Sequence, residues 1–300
     1  MSIFTDYTFI IVALGSAALG GISGVIGSFA VLRRQSLLGD GVSHAALPGV
    51  AAAFLITGIK STAVLLAGAL FSGLLAAFLI SLAVKKTKLK FDAALAVVMS
   101  SFFGLGTVLI TCAQKLPDAT QAGLGSFIFG QASAMLKSDV ILIVTCCVIL
   151  LLGVILLWKE LKVFSFDRDF ALLIGYSEKK LGLILSLMTV ITVILGIQTV
   201  GVVLMSAMLI APAAAARQWS DRLWLMVALA ALFGGASGVL GTYTAAAGIP
   251  TGPSIVIAAS IFVLVSLLIA PKRGIVSRII KRKSLRLKIT VQSGNKGGEK

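Results

Sequence analysis

Ser36-Leu-Leu-Gly-Asp-Gly-Val-Ser-His-Ala-Ala-Leu-Pro-Gly49 sets a carboxylate, Asp40, and an imidazole, His44, four residues apart in a run that is otherwise small and apolar. His44 is the only histidine in the chain. On an α-helix, residues i and i+4 lie one turn apart on one face, so the two side chains project together and Pro48 continues their stripe. Pro48 has no N–H, and its ring clashes with the carbonyl of residue i−4, which is His44. A kink is expected there, with the freed carbonyl tolerated where it faces protein or a polar cavity. Read as a membrane helix, this stretch carries ionisable groups that usually mark an interior path.

The chain around it supports that reading. Its 300 residues are 58% hydrophobic and 12% charged, and the mean hydropathy is +1.08. Average soluble domains carry about 25% charged residues. Successive apolar runs of roughly twenty residues are each long enough to cross a hydrocarbon core about 30 Å thick, and the alternation of a β-barrel is absent. The fold class is therefore all-α: a polytopic membrane helix bundle. The net charge of +15 gathers in short loops and the tail, as the positive-inside rule requires, and is not read as nucleic-acid binding. Cys112, Cys146 and Cys147 lie in apolar runs without CxxC spacing, which suggests packing rather than a disulfide framework or a thiolate metal site. The first apolar run lacks a preceding basic segment and is expected to stay as a membrane helix.

Spans are predicted over about 8–32, 37–57, 62–84, 93–113 and 140–158, then 223–246 and a last one ending near Ala270. Gly20 and Gly24, and again Gly234 and Gly238, stand four apart, the spacing that lets helix backbones approach. Gln114 to Leu136 is a less apolar, external connection. The run from Leu181 to Ala216 would be about 54 Å as one helix at 1.5 Å per residue, too long for one span. A break near Gln198-Thr-Val-Gly201 would give two spans or one broken helix; as two, it makes nine spans with every basic cluster on one side, the N-terminus outside and the C-terminus inside. Without the break there are eight. Residues 1–270 form the transmembrane domain, with a cytoplasmic loop over 159–180, and 271–300 form a basic cytoplasmic tail.

Asp with neutral His suits a borderline divalent cation such as Mn(II), Fe(II) or Zn(II). Two ligands are too few, and the chain offers no second histidine. A two-fold dimer would supply two carboxylates and two imidazoles. A structural Asp–His hydrogen bond locking two helices is the competing reading. Enzyme readings fail on motif: one histidine cannot make HExxH, no GxSxG elbow is present, one embedded aspartate is too few for an aspartyl protease, and no GxxxxGK[ST] P-loop occurs. In the 159–180 loop, Phe166, Phe170, Leu173 and Ile174 form a short amphipathic helix suited to protein docking.

Arg33-Arg-Gln-Ser-Leu-Leu-Gly-Asp-Gly-Val-Ser-His-Ala-Ala-Leu-Pro-Gly-Val50 strongly resembles the signature of the zinc/manganese/iron permease family of ABC importers, approximately L-R-x-x-S-L-x-G-D-A-x-S-H-A-x-L-P-G. Val200-Gly-Val-Val-Leu-Met-Ser-Ala-Met-Leu-Ile-Ala-Pro-Ala-Ala-Ala-Ala216 resembles the family's later V-G-x-x-L-x-x-A-x-L-I-x-P-A-A-x-A segment, and Phe166 to Gly175 its cytoplasmic coupling segment. The resemblance covers most of the chain except the basic tail. It implies a type II importer-like permease in the plasma (inner) membrane of a bacterium, without enzymatic activity or an intrinsic cofactor. It also implies a second permease copy or paralogue, two cytoplasmic ATPases that hydrolyse ATP, and an external metal-binding protein. Asp40 and His44 match the family's metal ligands. Phe166, Asp167, Asp169, Ala171 and Gly175 fall in the segment that docks on the ATPase. Gly41 stands where alanine is usual. The Ser-His-Ala-x-Leu-Pro-Gly form is nearer to manganese or iron members than to zinc ones, which puts Mn(II) first. A permease for a metal chelate or cobalamin-like cargo, and a proton-coupled carrier using Asp40 and His44 as a relay, are the alternatives.

Overall fold

A computed structural model describes residues 7–58, 61–115, 130, 135–245 and 247–277. The described residues form eleven helices: α1 (Tyr7–Leu32), α2 (Leu38–Thr57), α3 (Thr62–Lys86), α4 (Phe91–Gln114), α5 (Lys137–Leu156), α6 (Trp158–Phe166), α7 (Arg168–Leu173), α8 (Glu178–Val200), α9 (Val202–Trp219), α10 (Leu223–Ala245) and α11 (Thr251–Ile269). Eight of them are long and apolar enough to cross a membrane, all of these except α6, α7 and α9. The predicted spans coincide with these helices to within three residues at their ends. Most of the 114–136 connection, and residues 278–300 of the basic tail, lie outside the described residues.

The long apolar run divides at a single residue. Gly201 has φ +92°, a conformation open to glycine and costly for residues with a Cβ. Its N–H closes α8 on the Ile197 carbonyl, and its own carbonyl accepts from Met205 N–H at the start of α9. With 18 residues, α9 is about 27 Å long. It packs against α1, α2, α8, α10 and α11, at the centre of the bundle. Met205 and Met208 are fully buried. Met208 touches the α1 backbone at Gly20, and the Met205 sulfur lies against Gly196 of α8, so both are packing residues.

The glycine pairs of α1 and α10 meet each other. A Cβ on Gly20 would collide with the Gly234 carbonyl, one on Gly24 with Ala230, and one on Gly238 with Ser16. With no hydrophobic drive between helices in lipid, such backbone proximity supplies the dispersion contact that holds them. The second group is α2 with α3 and α4, joined to the first through α8 and α9. There Gly49 of α2 and Gly68 of α3 face backbone to backbone, and the Ser72 hydroxyl of α3 donates to the Ala45 carbonyl of α2 at 2.6 Å. The result is a central α2, packed against α3, α4, α8 and α9, whose first half leaves one stripe open and whose last turn is exposed.

The turn that delivers α2 is closed by backbone bonds. Gln35 N–H bonds to Ala30 O and Arg34 N–H to Val31 O, with Arg34 at φ +57°, the pattern of a Schellman cap with arginine in the left-handed position. Leu38 N–H then returns to Gln35 O, which makes the connection from α1 to α2 short and stiff.

Candidate metal site on helix 2

Asp40 is the third residue of α2 and His44 the seventh, so the pair lies toward the Arg33-Arg34 end of the helix. In the first turn the unpaired N–H groups and the helix dipole favour a negative charge. Between Leu38 and Pro48 the open positions of α2 are this pair: the Asp40 side chain is 32% exposed and that of His44 20%, while Gly41, Val42, Ser43, Ala45, Ala46, Leu47 and Pro48 are buried; the helix opens again toward its far end, where Ile56 is exposed. The neighbours explain the pattern. Gly39 lies against Leu209 of α9, Gly41 against Leu95 of α4, and Gly106 of α4 against Leu47 and Pro48. The stripe predicted to run on to Pro48 is therefore closed by α4 one turn beyond His44. The helix continues past Pro48 to Thr57.

His44 Nε2 is 3.6 Å from Asp40 Oδ1, too far for a hydrogen bond. Both groups sit on the same helix, so the pair does not lock two helices together. An ion about 2.1 Å from each atom, the usual metal–N and metal–O distance, would see them at an angle of roughly 120°, which fits two ligands of one ion. His44 Nδ1 is buried and has no hydrogen-bond partner. The imidazole instead meets the Phe103 ring of α4 at right angles, centroid to centroid 5.0 Å at 87°. Among the described residues no cluster of three or more His, Cys, Asp or Glu side chains occurs. Within one chain the pair offers two potential ligands and is open on one side.

The residues predicted for docking lie elsewhere, in α6 and α7. The Asp167 side chain accepts from Phe170 N–H at 2.9 Å and caps α7. Gly175, at φ +88°, ends the helix, and Tyr176 N–H bonds to Ala171 O. Ala171 is buried and fixes the helix to the body of the protein, while Asp169 is exposed. Phe166, Phe170, Leu172, Leu173 and Ile174 are all exposed, Leu173 at 84%. A capped helix of one and a half turns with an apolar crown is what a docking knuckle needs, and an apolar patch of this kind commonly marks a contact site.

Phe103 and Gly106 escaped sequence reasoning, because an exposed phenylalanine and one glycine among 31 carry no periodic signal. Arg33 did have a signal: it heads the quoted signature, and its role becomes visible only in the structure, where its guanidinium carbon lies 3.7 Å from the centre of the Phe164 ring.

Residues 6–270 match the model of the ABC 3 transport family. The chain is 48% identical over 289 residues to the zinc transport system membrane protein TroC of Treponema pallidum, covering 96% of this chain and 97% of that protein. It is 45% identical over 277 residues to the manganese transport system membrane protein MntC of Bacillus subtilis, covering 92% of this chain and 64% of that longer protein. Among solved structures, PsaBC of Streptococcus pneumoniae in complex with Fab superposes with a TM-score of 0.81 at 32% identity, covering 94% of this chain and 97% of that one.

Proposed function

The chain belongs to the ABC 3 transport family, and from that premise we propose that it is the permease subunit of an ATP-driven importer of divalent transition metal ions. Mn(II) is the foremost cargo, with Zn(II) or Fe(II) as alternatives; the similar proteins are named for manganese and for zinc. The observation that carries the reading is the open half-site: Asp40 and His44, with 3.6 Å between their facing atoms, on the uncovered stripe of the otherwise buried first half of α2.

A second permease copy facing this stripe completes the shell with its own carboxylate and imidazole. The ion would then be held on the two-fold axis by four side chains, a mixed O/N set suited to borderline cations. An external metal-binding protein delivers the ion to this site. On the cytoplasmic side, the crown around Phe166, Asp167, Asp169, Ala171 and Gly175 docks on a partner ATPase, whose closure on ATP opens the path inward. With α9 as a ninth crossing, the positive-inside rule puts the Arg33-Arg34 turn, the α3–α4 connection, α6–α7 and the C-terminus in the cytoplasm of a bacterial cell.

Cellular accumulation of Mn(II) tests the site. Asp40→Ala and His44→Ala are each expected to abolish uptake while the protein remains in the membrane at normal abundance. Normal uptake by either variant would remove the pair from the path, and a chelate-sized cargo would then be the better reading.

A further inference from the structure

Between the candidate metal site and the docking knuckle lies a contact on a buried ring that neither role uses. Arg33 closes α1, and its guanidinium stacks at 3.7 Å on the Phe164 ring of α6. Phe164 is buried, and its far edge lies 3.7 Å from the position a Cβ would take on Gly182 of α8. One ring thus touches the α1–α2 turn on one side and α8 on the other. A second aromatic contact runs in parallel: Phe29 of α1 meets Trp158 at the start of α6 edge-on at 6.1 Å. Leu161, between them, is fully buried, so α6 is anchored along its length to the body that carries α1.

The two ends of this bridge are stiff. On one side Asp167 closes α6 and caps α7 at once, leaving no free linker between the exposed crown and Phe164. On the other side, the bonds from Gln35 to Ala30 and from Leu38 to Gln35 leave no slack between Arg33 and the first turn of α2, where Asp40 sits.

We propose that the Arg33–Phe164 stack is the contact through which displacement of the α6–α7 knuckle reaches the first turn of α2 and shifts Asp40. Both are positioning residues: neither touches the ion. A guanidinium over a ring face suits this task, because the cation is drawn to the ring quadrupole and the planar, always charged group stacks on an aromatic face. The proposal rests on the reading of α7 as the ATPase contact.

The test uses the complete complex, with its ATPase and binding protein, in liposomes, and measures Mn(II) transported per ATP hydrolysed. Arg33→Gln and Phe164→Leu are each expected to lower that ratio at least tenfold while the complex assembles and hydrolyses ATP. The double variant should be no worse than either single one. An unchanged ratio in both single variants, additive losses in the double, or a parallel fall of hydrolysis and uptake would overturn the proposal. Leu173→Glu separates the two levels. If it uncouples while Arg33→Gln and Phe164→Leu do not, only the stack falls. If all three couple normally, the docking reading falls with it.

Discussion

Alanine at Gly106 adds one carbon at the closest approach of α4 to α2. A Cβ there would stand 2.8 Å from Leu47 Cβ and 2.9 Å from both Cδ and N of Pro48. Unstrained carbon contacts lie at about 3.5–4.0 Å, so the two helices must part by roughly 0.6 Å or more. Neither neighbour can yield by rotation, since a Cβ is fixed to its backbone and the proline ring is locked. Overpacking of this kind costs about 1–3 kcal/mol. Alanine recovers up to about 1 kcal/mol of helix propensity over glycine, leaving a net loss of up to about 2 kcal/mol. Gly153→Ala is the matched control. Its Cβ would also meet an atom at 2.8 Å, but that atom is the terminal methyl of Met188, which can swing aside. Thermal unfolding of both variants in detergent should show Gly106→Ala destabilised and Gly153→Ala unchanged or slightly stabilised. Since Phe103 lies one turn back on α4 with its ring at right angles to that of His44, Gly106→Ala should also reduce Mn(II) uptake. Equal stability of the two variants would refute the close packing of α4 on Pro48.

Two more outcomes follow from the loops. Arg34 sits at φ +57°, where a residue with a Cβ bears about 1–2 kcal/mol of strain, and Arg34→Gly should raise stability by about 0.5–1 kcal/mol in the same unfolding assay. Asp221, in the turn between α9 and α10, takes hydrogen bonds from Lys272 at 2.9 Å and Arg273 at 2.7 Å. Chiefly the Lys272 bond, then that of Arg273, holds its carboxyl below the ordinary 3.8. A carboxyl with the lower pKa in the folded state stabilises it fully above the unfolded value and loses that contribution as pH falls through the folded one. Hydrogen exchange of residues 271–277 should therefore accelerate as the pH falls below about 4, beyond the intrinsic change, and Asp221→Asn should abolish that acceleration.

Much of this architecture was legible in the sequence because the physics behind it is local. Twenty apolar residues between charged turns define a span wherever they occur, and the length of 181–216 demanded a break that Gly201 provides. The shared face of Asp40 and His44 follows from helical spacing alone. Pairings between distant elements were not legible. Gly20 and Gly234 each announce a close approach but do not name the partner, and the closure of the stripe at Pro48 depends on Gly106, 58 positions away in the chain. Arg33 and Phe164 are separated further still. A cation over a ring leaves no periodic trace, so a signature arginine looked like part of a basic turn until its neighbour was seen.

The central claim is that one ion is shared by two copies of the half-site. His44 is the only histidine of the chain, so the number of imidazoles on a bound ion counts protomers directly. Pulsed electron paramagnetic resonance of Mn(II) bound to the permease, purified without a histidine tag, reads that number from nitrogen modulation. Two equivalent imidazole nitrogens per Mn(II), lost in His44→Ala, are predicted. A single imidazole nitrogen, or none, would contradict the shared site.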